Sequence, residues 1–283
     1  MQNAKFKDLT PVTMKILRMA SREEPLDCIA SVILYKNPPW MIENVISSFL
    51  DTDLKVKLYV IDNSPTPLAL SFLEKKWPVF YHHVGQNLGY GKAHNWCLGR
   101  CEPSKYYLVL NPDVIIPKGT IEELCQYLDR NPDIGMICPR VLNKDQTLQY
   151  LNKRHPNLMD LFLRRFYTYN RMFAFIKKRL DHYEMRDIGY DVIHEVPFMT
   201  GAFMFCRADV LKKVGGFDPR FFMYFEDADL SRKFQNEGNK TIYYPYVHIT
   251  HFWKRESRKS LIMALVFAIS GIKYFHKWGW KLF

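Results

Sequence analysis

Three stretches of the chain carry side chains able to do polar chemistry. The densest is FMYFEDADL, residues 222–230, where Glu226, Asp227 and Asp229 fall within four positions behind Phe222, Tyr224 and Phe225. A carboxylate partly desolvated by aromatic rings can take a proton from a hydroxyl group. Carboxylates in a first helical turn also complement the helix macrodipole, at about 0.3–1 kcal/mol each, so these residues alone leave both roles open. The second pair is Asp62, closing the apolar run KLYVID, and Asp113, closing KYYLVLNPD. An acid at the tip of a strand can accept hydrogen bonds from a ligand or hold a hard cation; Asp-Asn-Ser-Pro and Asn-Pro-Asp are equally good turn formers. The third stretch is GQNLGYG, where Gly85, Gly89 and Gly91 flank Asn87. It reads either as a tight turn or as backbone closely approached by a ligand, with Asn87 or His94 alongside.

The elements that must position these residues alternate. IASVILY (29–35), KLYVID (57–62), PVFYHHV (78–84) and KYYLVLNPD (105–113) read as strands. Pro38 and Pro39 suit a helix start, and Ile42, Val45, Ile46 and Phe49 follow at helical spacing. Short helices are expected over LALSFLEKK and after NLGYG. This rhythm predicts an α/β domain with a mostly parallel central sheet, whose ligands bind beyond the carboxyl ends of the strands. Beyond residue 150 the pattern turns to a basic, aromatic helix over 154–180, then strand–helix order over 196–238, then a strand and loop in KTIYYPYVHITHF, and finally an amphipathic, Trp-rich end. The expected division is a lead-in over 1–27, one domain over 28–256 and a basic C-terminal helical extension over 257–283.

The 283 residues carry a net charge of +11, which suits a polyanionic partner. No nucleic-acid-binding motif appears, so sequence-specific nucleic acid is not expected. The six cysteines show no metal-type CxxC pair and read as reduced thiols of a cytoplasmic protein. No signal-peptide pattern is seen at the N-terminus, and the longest apolar run, LIMALVFAISGI (261–272), is too short by itself to span a bilayer. No glycine precedes Gly85, which removes a P-loop or a first-strand GxGxxG fingerprint and counts against a sugar nucleotidyltransferase.

Taken in order, VILY, VIDNSPTP, NLGYGKAHN, LNPDV, TGAFMFCRADVLKKVGGFDPRFFMYFEDADL and HITHFWKRES resemble the family 2 glycosyltransferases of the GT-A fold, and in particular the bacterial rhamnosyltransferase-like enzymes of O-antigen and capsule synthesis. The resemblance covers about residues 28–260. It implies a nucleotide-sugar donor, Mg²⁺ or Mn²⁺, and inversion at the anomeric carbon. Asp227 would be the general base, with Glu226 orienting the acceptor and Asp229 serving the helix terminus. Tyr35, Asp62, Asn63, Asn87, Gly89, Asn111 and Asp113 would bind the nucleotide sugar. Asp113 would hold the metal, with His251 preferred over His248 as its partner. The pattern departs from the family at Leu34-Tyr35-Lys36, where Thr-Tyr-Asn is usual, and at Asn111-Pro112-Asp113, which carries one carboxylate where two are usual.

The implied donor is dTDP-rhamnose, with a UDP-hexose such as UDP-galactose as the alternative. The implied acceptor is a glycan linked to polyprenyl diphosphate. Arg164, Arg165, Arg171, Lys177, Lys178 and Arg179 lie among aromatic and aliphatic residues, as do Lys273, Lys277 and Lys281. That mixture suits peripheral binding to an anionic surface on the cytoplasmic face of the membrane. A sugar nucleotidyltransferase and a non-catalytic carbohydrate-binding protein of the same fold are the rival readings.

Overall fold

The computed structural model describes residues 25–68, 70, 73–166, 174–252 and 261–282, with side chains at all of these except 164–166. Residues 1–24 of the expected lead-in, Arg171, the side chains of Arg164 and Arg165, and the 256/257 boundary lie outside the described residues.

The strands are β1 (Leu26–Leu34), β2 (Val56–Asp62), β3 (Val79–His83), β4 (Ser104–Leu110), β5 (Val114–Ile115), β6 (Ile134–Leu142), β7 (His194–Glu195), β8 (Phe203–Arg207) and β9 (Lys240–His251). The helices are α1 (Pro39–Leu50), α2 (Leu73–Lys76), α3 (Tyr90–Leu98), α4 (Thr120–Arg130), α5 (Leu158–Phe166), α6 (Ala174–Tyr183), α7 (Ala208–Lys213), α8 (Glu226–Asn236) and α9 (Leu261–Trp278). The strands form one sheet in the order β3-β2-β1-β4-β8-β6-β9-β5, with β7 added on β9.

Parallel pairing runs through the first half and returns between β6 and β9. β3, β2, β1 and β4 run parallel to one another, whereas β8 lies antiparallel between β4 and β6, and β5 and β7 pair antiparallel with β9. The sheet is therefore mixed, because β8 enters from the opposite end after a long excursion. The basic stretch 154–180, read at helix-like spacing, holds α5 and the start of α6 among the described residues.

Seven consecutive residues of β1 are buried, as a strand covered on both faces requires. Its alternate side chains serve two cores. Cys28, Ala30, Val32 and Leu34 pack with Ile42, Val45 and Phe49 of α1, and with Ile121 and Leu124 of α4. Ile29 and Ile33 pack with Ala93 and Cys97 of α3, Leu211 of α7, and Leu230 and Phe234 of α8. A third core joins Phe198, Phe221, Phe225 and Ala228 to Tyr274 and Phe275 of α9.

Candidate active site

The parallel registers pair Leu34 with Asp62 and Val32 with Leu110. Tyr35 and Asn63 therefore emerge side by side at the carboxyl edge of the sheet, with Asn111 next along the edge, level with Ile33. Tyr35 is 46% exposed and Lys36, at φ 56°, donates its backbone N–H to Ser64 Oγ at 2.9 Å. This leaves the Tyr35 ring open beside the β2 turn.

Asp62 does not reach that opening. It is fully buried, its Oδ1 accepts from Ser64 N at 2.9 Å, and its Oδ2 accepts from Leu68 N at 2.9 Å and from the Tyr81 hydroxyl at 2.8 Å. These are the bonds of a turn former, a carboxylate after a buried strand met by the nearest free amides. Asn63 is also buried; its Nδ2 donates to Gly89 O at 2.9 Å, and its Oδ1 has no partner.

The glycine turn is likewise aimed at the chain itself. Asn87 is exposed and accepts from Gly89 N through its Oδ1 at 2.9 Å. Gly89 is buried at φ 82°, and a Cβ there would stand 2.2 Å from the Phe222 carbonyl oxygen, which accepts from Tyr90 N at 3.0 Å. The close approach that demands glycine is thus to the FMYFEDADL segment. His94 is 1% exposed, with Nδ1 2.6 Å from Ser31 Oγ; it is a core histidine beneath the site.

FMYFEDADL enters α8 through two successive left-handed residues, Tyr224 (φ 69°) and Phe225 (φ 66°). Non-glycine residues in that region cost on the order of 1–3 kcal/mol each, so the surroundings must hold them. The strained entry presents Glu226 and Asp227 differently. Asp227 is partly exposed, accepting from Gly201 N at 3.0 Å through Oδ2 and from Ala228 N at 2.9 Å through Oδ1. Burial raises its pKa above the usual 3.8, although the Lys153 ammonium and the two amides favour the charged form. Glu226 is 5% exposed and its Oε2 has no partner; burial, and then the charge of Asp227, hold its pKa well above the usual range. Both carboxyls of the pair are pushed towards the neutral form, Glu226 the more strongly.

Asp229 faces away from this pair. It is fully buried, and Lys277 Nζ (2.6 Å) and Trp278 Nε1 (2.7 Å) meet its Oδ1.

Asp113 follows Asn111-Pro112 in the turn between β4 and β5. Val114 pairs with His251 across β5 and β9, which sets Asp113 Oδ1 3.3 Å from His251 Nε2. Gln149 fixes the imidazole: its Nε2 donates to His251 O at 2.7 Å, and its Oε1 accepts from His251 Nδ1 at 2.9 Å. Nδ1 thus donates to Gln149, and the buried Nε2, with no hydrogen-bond partner among the described residues, faces the Asp113 carboxylate. Two electron-rich atoms so placed suit a shared divalent cation, with the outer partner orienting the imidazole. Among the described residues no third His, Cys, Asp or Glu completes a cluster. His248 is exposed and lies opposite Arg140 in the β6–β9 register.

Gly201 and Ala202 join the two acidic turns. Gly201 N binds Asp227, Gly201 O accepts from the Tyr90 hydroxyl at 2.6 Å, and Ala202 O accepts from Asn111 N at 3.0 Å. The charges of Glu226, Asp227 and Asp113 all bear on the Tyr90 phenol, whose pKa is raised by burial first and then by them. Residues 113 and 227, 114 positions apart in the sequence, therefore converge. Gln149, Lys153 and Tyr90 were not expected here. Gln149 and Lys153 stand in a stretch without a chemical motif, and only the fold brings them in.

The basic residues of the C-terminal helix are placed otherwise than expected. Lys273 donates to Arg220 O at 2.7 Å and Lys277 binds Asp218 and Asp229, so both point inward. The outward face carries Leu261, Ile262, Leu265, Ile269 and Ile272, between 42% and 88% exposed. The twelve-residue apolar run is part of the 18-residue α9, which is long and apolar enough by length and composition to cross a membrane.

The model of glycosyltransferase-like family 2 matches residues 42–265, well over half of the chain. The N-acetylglucosaminyl-diphospho-decaprenol L-rhamnosyltransferase of Mycobacterium tuberculosis is 28% identical over 235 residues, covering 77% of this chain and 74% of that protein. The rhamnosyltransferase WbbL of Escherichia coli K12 is 25% identical over 227 residues, covering 77% and 80%. Among solved structures, GalNAc-T7 with UDP, GalNAc and Mn²⁺ superposes with a TM-score of 0.60 at 13% identity, and S. aureus TarS with 0.56 at 14%. The matches cover 83% and 88% of this chain, which spans only 44% and 40% of those longer chains, and show the GT-A fold. The chain belongs to glycosyltransferase-like family 2.

Proposed function

We propose that the protein is an inverting, metal-assisted glycosyltransferase that moves rhamnose from dTDP-rhamnose to a saccharide carried on polyprenyl diphosphate. The observation that carries this reading is the convergence of Asp227 and Asp113 through Gly201 and Ala202. In a single displacement an acceptor hydroxyl attacks the anomeric carbon from the face opposite the leaving nucleoside diphosphate. The hydroxyl loses its proton as the new bond forms, and Asp227 is the group to take it. Its raised pKa makes it a stronger base than a solvated aspartate. The amides of Gly201 and Ala228 hold the carboxylate in one orientation, and Lys153 keeps it ionised.

Asp113 and His251 would hold Mg²⁺ or Mn²⁺, and a cation there would neutralise the charge growing on the diphosphate. Tyr35 offers an open aromatic face to the nucleoside. Support for rhamnose and for a lipid-linked acceptor comes from the names of the two rhamnosyltransferase relatives. A UDP-hexose is the alternative donor.

The exposed stripe of α9 suits contact with the inner face of the cytoplasmic membrane, where such an acceptor resides. Lying on the surface is favoured over spanning it. A span would strip Lys273 and Lys277 of their partners and bury both charges in hydrocarbon. Incubation with a panel of nucleotide sugars, with and without Mn²⁺, tests the proposal. Release of dTDP from dTDP-rhamnose that depends on Asp227 supports it. Pyrophosphate release from a nucleoside triphosphate and a sugar phosphate would replace it with a nucleotidyltransferase.

A further inference from the structure

One face of α9 grips the segment that delivers the base. Ser270 Oγ donates to Met223 O at 2.8 Å, and Lys273 Nζ donates to Arg220 O at 2.7 Å. Gly271 lets the helix lie against the Phe225 ring, where a Cβ would stand 3.4 Å from its carbons. The Phe225 ring packs between Phe267 (centroids 5.0 Å) and Tyr274 (5.5 Å), and Tyr224 packs on Phe267 at 5.5 Å. These are the two left-handed residues before Glu226.

At the end of the helix, Lys277 Nζ bridges Asp218 (2.9 Å) and the buried Asp229 (2.6 Å), and Trp278 adds a bond to the same Asp229 oxygen. The far end of that loop is held too, since Arg220 forms an ion pair with Asp218. Residues 218–229 are thus fixed at both ends by a helix some fifty positions downstream.

We propose that Lys277 is a positioning residue for the reaction: by tying Asp218 to Asp229 it holds the strained Tyr224–Phe225 entry and so sets where Asp227 meets the acceptor. The inference rests on Asp227 being the base. Asp229 is two residues beyond Asp227 on a helix, so the two side chains diverge, and an anchor on one fixes the rotation of the other. Tyr224 and Phe225 have no intrinsic preference for their conformation, so an anchor is needed.

The test is Lys277→Met beside Lys277→Arg in the full chain. With dTDP-rhamnose and Mn²⁺, kcat should fall ten-fold or more in Lys277→Met, while dTDP binding stays within two-fold, and Lys277→Arg should recover most of the loss. A folded Lys277→Met protein with kcat within two-fold of wild type overturns the inference. Should Lys277→Met not fold, Trp278→Phe removes only one bond to Asp229; a three-fold loss of kcat with unchanged dTDP binding supports the inference, and unchanged kcat overturns it. If the wild-type protein transfers no sugar, the functional reading fails and the anchoring does not. Amide exchange over residues 223–230 then decides, faster in Lys277→Met if the anchor is real and unchanged if it is not.

Discussion

The two acidic turns of the site contrast in almost every physical respect. The Asp113 carboxylate takes no backbone hydrogen bond among the described residues and faces the His251 imidazole at 3.3 Å. The Asp227 turn does the reverse: two amides hold the carboxylate, a buried carboxyl with a raised pKa flanks it and two strained residues deliver it. A metal site needs open valences and a fixed second ligand, since the cation supplies the order when it binds. A general base needs its position and basicity set beforehand, because a proton transfer offers little binding energy with which to rearrange it. In the proposed reaction carboxylates take both tasks, differentiated by surroundings alone.

Each variant below tests that division. The largest effect is expected for Asp227→Asn. Transfer should fall about 10²–10⁴-fold with dTDP binding and Mn²⁺ half-saturation unchanged, as steady-state kinetics and calorimetry would measure. A change in metal dependence would merge the two turns into one unit. Next, Asp113→Asn should raise the Mn²⁺ needed for half-maximal rate by about 10–100-fold and leave the acid limb of the pH profile in place. Gln149→Leu frees the imidazole without removing it, and should weaken Mn²⁺ about ten-fold, less than His251→Ala in the same titration.

The pH profile sharpens the base side. Asp227 must be ionised to act and its pKa is raised, so kcat should fall as pH drops through a value above 3.8. The sign for stability is opposite. A carboxylate with a raised pKa binds its proton more tightly in the folded chain, so this group's contribution declines as pH rises through the same window. The smallest effect is expected for Glu226→Gln. An amide carries the same charge as a protonated acid, so kcat should stay within about three-fold, against the large loss at Asp227. A loss at Glu226 as large as that at Asp227 would show that both carboxyls take part in proton transfer.

Much of the frame was legible from local pattern. β1 to β4 fall where apolar runs end in turn residues, and α1 begins at Pro39, because a buried parallel strand and a proline-started amphipathic helix write themselves into adjacent positions. The acidic residues of the site were legible as a set. Their division of labour was not. Asp62 and Asp227 both follow strong local signals, yet one is consumed by Ser64, Leu68 and Tyr81 while the other opens outward. Sequence spacing cannot report which amides will reach a carboxylate. The inward lysines of α9 make the same point, since an amphipathic pattern shows that a helix has two faces and leaves open which face meets the protein.

The sequence by itself determined the α/β framework, the family and the small group of carboxylates to which the proposed chemistry is assigned. These follow from short-range periodicity and from ordered motifs, both contained within a few residues of each position. Tertiary structure alone decided that Asp113 meets His251, that Gln149 fixes the ring and that Asp229 belongs to Lys277. Each of those is a pairing across many tens of residues, and the energy that selects it comes from burial and neutralisation that exist only once the sheet and the last helix have closed around the site.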